Sequence, residues 1–147
     1  MTAAALLAAA GCGEEGGAAL TGRVVSITDG DTIRVQLGSG REERVRYIGI
    51  DTPERGDCFS RRATSLNARL VADREVRLEP DADERDRYGR LLAYVYAGDV
   101  FVNRELVRRG VAQPLTVPPN VRHADEFRRL ADRARGEGSG LWSACAS

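Results

Sequence analysis

Two periodicities divide the chain. Between Leu20 and Ala97, short stretches alternate apolar and polar residues, as in Val24-Val25-Ser26-Ile27 and Ile33-Arg34-Val35-Gln36-Leu37, and turn-forming residues separate them. Such alternation places successive side chains on opposite faces of a strand. It predicts strands at 20–27, 32–38, 43–50, 75–80 and 91–97. Elsewhere the period lengthens to that of a helix. Ala63, Leu66, Leu70 and Val71 share a face over 59–73, Val102, Leu106 and Val107 over 102–111, and Phe127, Leu130 and Ala134 over 121–136.

This order of elements predicts an α+β fold: a five-stranded OB-type β-barrel with about three α-helices, whose one face offers a groove for nucleic acid. At 147 residues and 42% hydrophobic, the chain suffices for one core and not for two domains. The formal charge is zero, but Glu14 and Glu15 precede the first strand, so the folded part is mildly positive. All 22 basic residues are arginine, which reflects genome composition as easily as phosphate affinity and carries no functional reading.

Ahead of the first strand, Ala3 to Ala10 form an apolar run too brief to span a bilayer, followed by Gly11-Cys12 and the polar stretch Gly13-Glu14-Glu15-Gly16-Gly17. This resembles the end of a bacterial lipoprotein signal peptide with Cys12 as the lipidated first mature residue. No Lys or Arg precedes the run, so either a basic segment belongs ahead of Met1 or the run is an apolar tail. We adopt export: residues 1–12 a truncated signal peptide, 13–19 a flexible tether, 20–143 the folded domain and 144–147 a tail. The expected location is the cell surface, through a lipid on Cys12, or the medium. In an oxidising compartment Cys58 and Cys145 could pair and staple the C-terminus to the domain, against the alternative of two unrelated thiols.

The candidate chemistry lies in charged residues spread over half the chain. Asp31 sits in Thr28-Asp29-Gly30-Asp31-Thr32, Arg46 leads a run ending in Asp51-Thr52-Pro53-Glu54, and Arg90 closes Asp86-Arg87-Tyr88-Gly89-Arg90. Phosphodiester hydrolysis needs positive charge on the phosphate oxygens and a base for water. An arginine fork grips two phosphate oxygens at once. Asp31, Asp51 and a carbonyl near Thr52 are hard oxygen ligands of the kind calcium or magnesium prefers. Glu54 stands beyond Pro53, whose fixed φ holds the two carboxylates at a set offset. Each piece alone has an ordinary reading. Asp-Gly between alternating runs is first a hairpin signal, and the arginines could be surface residues on barrel strands.

Taken together, these residues resemble the staphylococcal-type thermonuclease (micrococcal nuclease-like) domain. The match is carried by Ile27–Thr32, Arg46–Glu54, Tyr88–Tyr96, Val102–Gly110 and the closing Gly140-Leu141-Trp142, and runs from about Leu20 to Trp142. The resemblance implies a calcium-dependent endonuclease acting on DNA and RNA, with single strands preferred, leaving 3′-phosphates and 5′-hydroxyls. It implies calcium at Asp31, Asp51 and the Thr52 carbonyl, Glu54 as general base, and Arg46 and Arg90 on the phosphate. Arg87 and Tyr88 are candidate contacts for a neighbouring phosphate, and a monomer is expected. One departure bears on binding: two tyrosines that pack on the base in the family have no counterpart in Gln113–Asn120.

Other residues read more plainly. His123 has no place in such a site, Trp142 is expected as a core anchor, and Asp81–Asp86 as a solvated turn lacking the glycine and distal glutamate of a calcium loop. The alternative to an enzyme is a catalytically silent nucleic-acid-binding module on the same barrel. Such a module would use the arginines but not the acids, which repel phosphate without a metal.

Overall fold

The computed structural model describes residues 17–145. Cys12, the apolar run and most of the expected tether lie outside them. Along the chain come β1 (Leu20–Ile27), β2 (Thr32–Leu37), β3 (Glu42–Tyr47), β4 (Ile50–Asp51), α1 (Ser60–Val71), β5 (Glu75–Glu79), β6 (Leu91–Ala97), β7 (Val100–Phe101), α2 (Val102–Arg108), β8 (Gln113–Pro114), α3 (Ala124–Gly136) and α4 (Leu141–Ala144).

Alternation decides which side of each strand faces in. β1 pairs antiparallel with β2 and β5, β2 with β3, and β5 with β6. A parallel pairing of β3 with β6, Val45 opposite Leu91, closes the five strands into the OB-type barrel. Val24, Ile33, Val35, Val45, Val76 and Val95 fill it. Each such side chain contributes about 1.5–3 kcal/mol when buried. Val25 breaks the alternation because β1 carries a bulge there: Val24 faces Val35 and Ser26 already faces Arg34, leaving Val25 as the extra, exposed residue.

Helix α2 packs on α3, and Phe127 of α3 is fully buried against the barrel end with Tyr94 and Phe101. Buried Asn103 clasps this layer to the barrel. Its Oδ1 accepts from the Val95 amide and its Nδ2 donates to the Ile48 carbonyl, both at 2.9 Å.

Several expectations need correction. The strand expected at 43–50 stops at Tyr47, and Gly49, at φ 80°, turns the chain into the separate β4. Helix 102–111 ends at Arg108. The C-terminal anchor is Leu141, which is buried, whereas Trp142 is half-buried under the Arg135 guanidinium. α4, with Cys145 after it, carries ordered structure past residue 143. Nor is Asp81–Asp86 a merely solvated turn. Asp81 accepts from the Tyr94 hydroxyl and the Arg122 amide, Arg85 pairs with Glu43, and Asp86 pairs with Arg90. Only the Asp86–Arg90 pair is local in sequence; Tyr94, Arg122 and Glu43 lie on other segments, which is why the turn read as merely solvated.

Candidate active site

The β1–β2 hairpin presents Asp31 almost fully buried. Gly30 is needed here for close packing and not for a positive φ. A Cβ on it would stand 2.7 Å from Thr52 Oγ1 and 2.8 Å from Ala63 Cβ. The turn therefore presses against the end of β4 and against α1. A buried chain of hydrogen bonds fixes it from beneath: the Tyr47 hydroxyl donates to Asn67 Oδ1 at 2.7 Å, and Asn67 Nδ2 donates to the Asp29 carbonyl at 2.9 Å. Sequence reasoning missed Tyr47 and Asn67 as supports. The signal was an asparagine on the apolar face of α1.

Asp31 is satisfied from three directions. Oδ2 accepts from the Thr52 amide and hydroxyl, Oδ1 accepts from the Thr32 hydroxyl, and the Arg46 guanidinium stands 3.4 Å away. Arg46 Nη1 donates to the carbonyls of Tyr47 and Ile50, and its Nη2 donates to Asp51 Oδ1 at 3.2 Å. Its Nε has no hydrogen-bond partner among the described residues. Burial, then the charge of Asp31, raises the Asp51 carboxyl above its ordinary range despite Arg46. Burial likewise raises Asp29, whose Oδ1 accepts the Asp31 amide, so a third acid, unassigned from sequence, borders the pair.

Arg46 also lines a cavity of about 390 Å3 together with Arg87, Tyr88 and Arg90. Asp86 organises that wall: its Oδ1 accepts the amides of Tyr88 and Arg90, and its Oδ2 accepts Arg90 Nε at 2.7 Å. Burial disfavours the Asp86 carboxylate, but the Arg90 guanidinium and the two amides outweigh it and hold its pKa below the usual value. Tyr88 is exposed between two cations, with Arg87 4.8 Å and Arg90 5.5 Å from its ring centroid. Leu115 and Val117, both exposed, form part of the facing wall.

Glu54 is exposed and lies apart from this cavity, in an adjoining recess with Asp51, Thr52, Asp57, Cys58 and Cys145. Cys58 and Cys145 are joined by a disulfide, their Cα atoms 5.7 Å apart. The structure thus gathers Asp31, Arg46, Asp51 and Thr52 into one contact group. Arg87, Tyr88 and Arg90 stand on its cavity side and Glu54 on its other. His123 stands apart, edge-on to Tyr94 with its Nδ1 3.3 Å from Glu126.

The donor set suits a hard divalent cation. Two carboxylates approach the same guanidinium nitrogen, and the more exposed of them, Asp51, is held at a raised pKa by burial and then by its neighbour's charge, a repulsion that added positive charge would relieve. Among the described residues no cluster of three or more acid, His or Cys ligands occurs, so a cation here would complete its shell with carbonyl and water oxygens.

Residues 44–144 match the model of the staphylococcal nuclease homologue family. The chain is 33% identical over 129 residues to the thermonuclease of Staphylococcus hyicus, covering 84% of this chain and 76% of that protein. It is 38% identical over 120 residues to the thermonuclease of Staphylococcus intermedius, covering 78% and 68%. Endonuclease YncB of Bacillus subtilis is 38% identical over 123 residues, 78% of this chain and 58% of that protein.

Proposed function

The chain belongs to the staphylococcal nuclease homologue family, and from that premise we propose a calcium-dependent endonuclease that hydrolyses phosphodiester bonds of DNA and RNA, leaving 3′-phosphate and 5′-hydroxyl ends. The observation that carries this reading is the position of Arg46. One guanidinium lines the cavity while its Nη2 stands 3.2 Å from Asp51 and 3.4 Å from Asp31. Phosphate-binding charge and cation-binding charge meet on a single side chain.

Asp31, Asp51 and the Thr52 carbonyl would hold the calcium, which when bound adds positive charge beside the phosphate. Arg46 and Arg90 grip the phosphate oxygens and stabilise the charge that builds on them. Glu54 takes a proton from water, whose oxygen attacks phosphorus as the bond to the 5′-oxygen breaks. Arg90 assists that leaving oxygen by charge and hydrogen bonding, because a guanidinium does not give up its proton; the proton on the departing hydroxyl comes from solvent. Arg87 and Tyr88 hold a neighbouring phosphate. Leu115 and Val117 offer no ring for the base, which costs about 1–3 kcal/mol per unstacked base and predicts weaker grip on short substrates.

Export accompanies this reading. A disulfide between Cys58 and Cys145 suits an oxidising compartment, and the leader composition suits processing at Cys12. The deciding experiment is hydrolysis of single-stranded DNA by the purified chain from Leu20, with millimolar calcium or chelator, alongside Glu54→Gln. Calcium-dependent cleavage that disappears with Glu54→Gln is the expected result. Binding without cleavage under every divalent metal would favour the silent module instead.

A further inference from the structure

We propose that a second groove, on the far side of the disulfide from the cavity, binds phosphates of the same polynucleotide strand several nucleotides from the scissile bond. The proposal rests on the nuclease reading and extends its substrate-binding surface. The groove, of about 430 Å3, has a floor of Leu66 and Val111 and a rim of Arg62, Arg69 and Arg109. α1 carries three arginines and no acid, and Arg62, Leu66 and Arg69 fall on one helical face at spacings of four and three. Arg109 shares Glu105 with Arg108, whereas Arg62 and Arg69 form no ion pair among the described residues. Two exposed guanidiniums beside a concave surface, without a carboxylate to neutralise them, suit a polyanion.

A second feature points to the same ligand. Phe59, at the groove's rim, sits at φ 72°, a left-handed conformation costly for a bulky residue. That backbone packs the ring on the core and sets it under the Arg62 guanidinium, which lies over it 5.6 Å from its centroid. A guanidinium held flat on an aromatic ring offers a planar cationic face on which a base of a single strand stacks in turn, while the neighbouring cations take its phosphates. The groove is also continuous with the catalytic recess. Cys58 and Cys145 line the recess, and their chain neighbours Phe59 and Ala144 line the groove. A strand passing Glu54 crosses the disulfide and enters between Arg62 and Arg109.

The test uses the full chain in chelator, so that binding is read without cleavage. Anisotropy of a fluorescent trinucleotide and of a strand of about twenty nucleotides is followed through a salt titration for the parent, for Arg62→Gln/Arg69→Gln, and for Phe59→Asn, which tolerates the left-handed backbone. The double variant should bind the long strand about tenfold more weakly at low salt, with the slope of log affinity against log salt reduced by about 1.4, or about 0.7 for each phosphate lost. Phe59→Asn should weaken the long strand with little change of slope. Trinucleotide binding and calcium-dependent turnover of a nitrophenyl phosphodiester should match the parent. An unchanged long-strand affinity and slope would overturn the groove while diester turnover still upheld the nuclease. Absent diester turnover with a groove effect intact would overturn the nuclease reading alone. Binding to phosphatidylglycerol vesicles that falls in the double variant while long-strand binding does not would show that the groove serves a membrane.

Discussion

Asp31 Oδ2 accepts two hydrogen bonds from Thr52, from its amide at 2.9 Å and its hydroxyl at 3.0 Å, across 21 residues of sequence. One motif supplies the carboxylate, the other both donors. The two halves of the candidate cation site are therefore locked together by the protein's own hydrogen bonds, and Gly30 makes the approach possible by lacking a Cβ.

Thr52→Val removes the hydroxyl and keeps the shape and the backbone carbonyl. A buried hydrogen bond to a charged group contributes about 1.5–3 kcal/mol, so urea unfolding in chelator should show a loss near the low end of that range. Half-maximal activity should also require more calcium, because Asp31 is freer to move.

Tyr47→Phe leaves the buried Oδ1 of Asn67 without its donor. Unfolding free energy should fall by about 1–3 kcal/mol. Turnover should fall with KM nearly unchanged if the Asn67 contact to the Asp29 carbonyl positions the hairpin; a stability loss with parent turnover would confine Tyr47 to a structural role.

Arg46→Lys keeps the charge but loses the fork that reaches two carbonyls and two carboxylates at once. Steady-state kinetics should show kcat reduced by about 100-fold or more, in the range seen when one preorganised transition-state donor is removed.

Glu105 gives the clearest pH signature. Its hydrogen bond to Arg108, and then that to Arg109, pulls its pKa down to about 2 from 4.5. A depressed acid stabilises the fold above its unfolded value, and that contribution is lost as pH falls from about 4.5 toward 2. Both arginine partners are half exposed, so solvent screening limits the effect to about 1 kcal/mol. Glu105→Gln should therefore be less stable than the parent at neutral pH, and the gap should close in denaturant titrations near pH 2.

The disulfide links positions 87 residues apart and ties the chain just beyond Glu54 to the C-terminus. Cys58→Ala/Cys145→Ala should lower the unfolding free energy by about 2–5 kcal/mol. Reductant should lower the Tm of the parent and leave that of the double variant alone.

The sequence by itself settled what depends on neighbours along the chain. The period of two in β1 and β2 sets which side chains enter the barrel. The helical spacing of Val102, Leu106 and Val107 sets the face of α2 that is buried. The order of Asp31, Arg46, Asp51, Thr52, Glu54 and Arg90 around turn residues pointed to the nuclease family. What it could not supply were distances between segments. Only closure of the barrel by β3 and β6 brings the Arg46 and Arg90 arms to one cavity, and only the packing of α1 beneath the hairpin reveals Tyr47 and Asn67 as its supports. Bulges, ion pairs between elements and the stretch of groove around Arg62, Arg69 and Arg109 depend on which surfaces come to face each other. Local periodicity fixes the direction in which a side chain points, but its partner is decided only when the whole chain has packed.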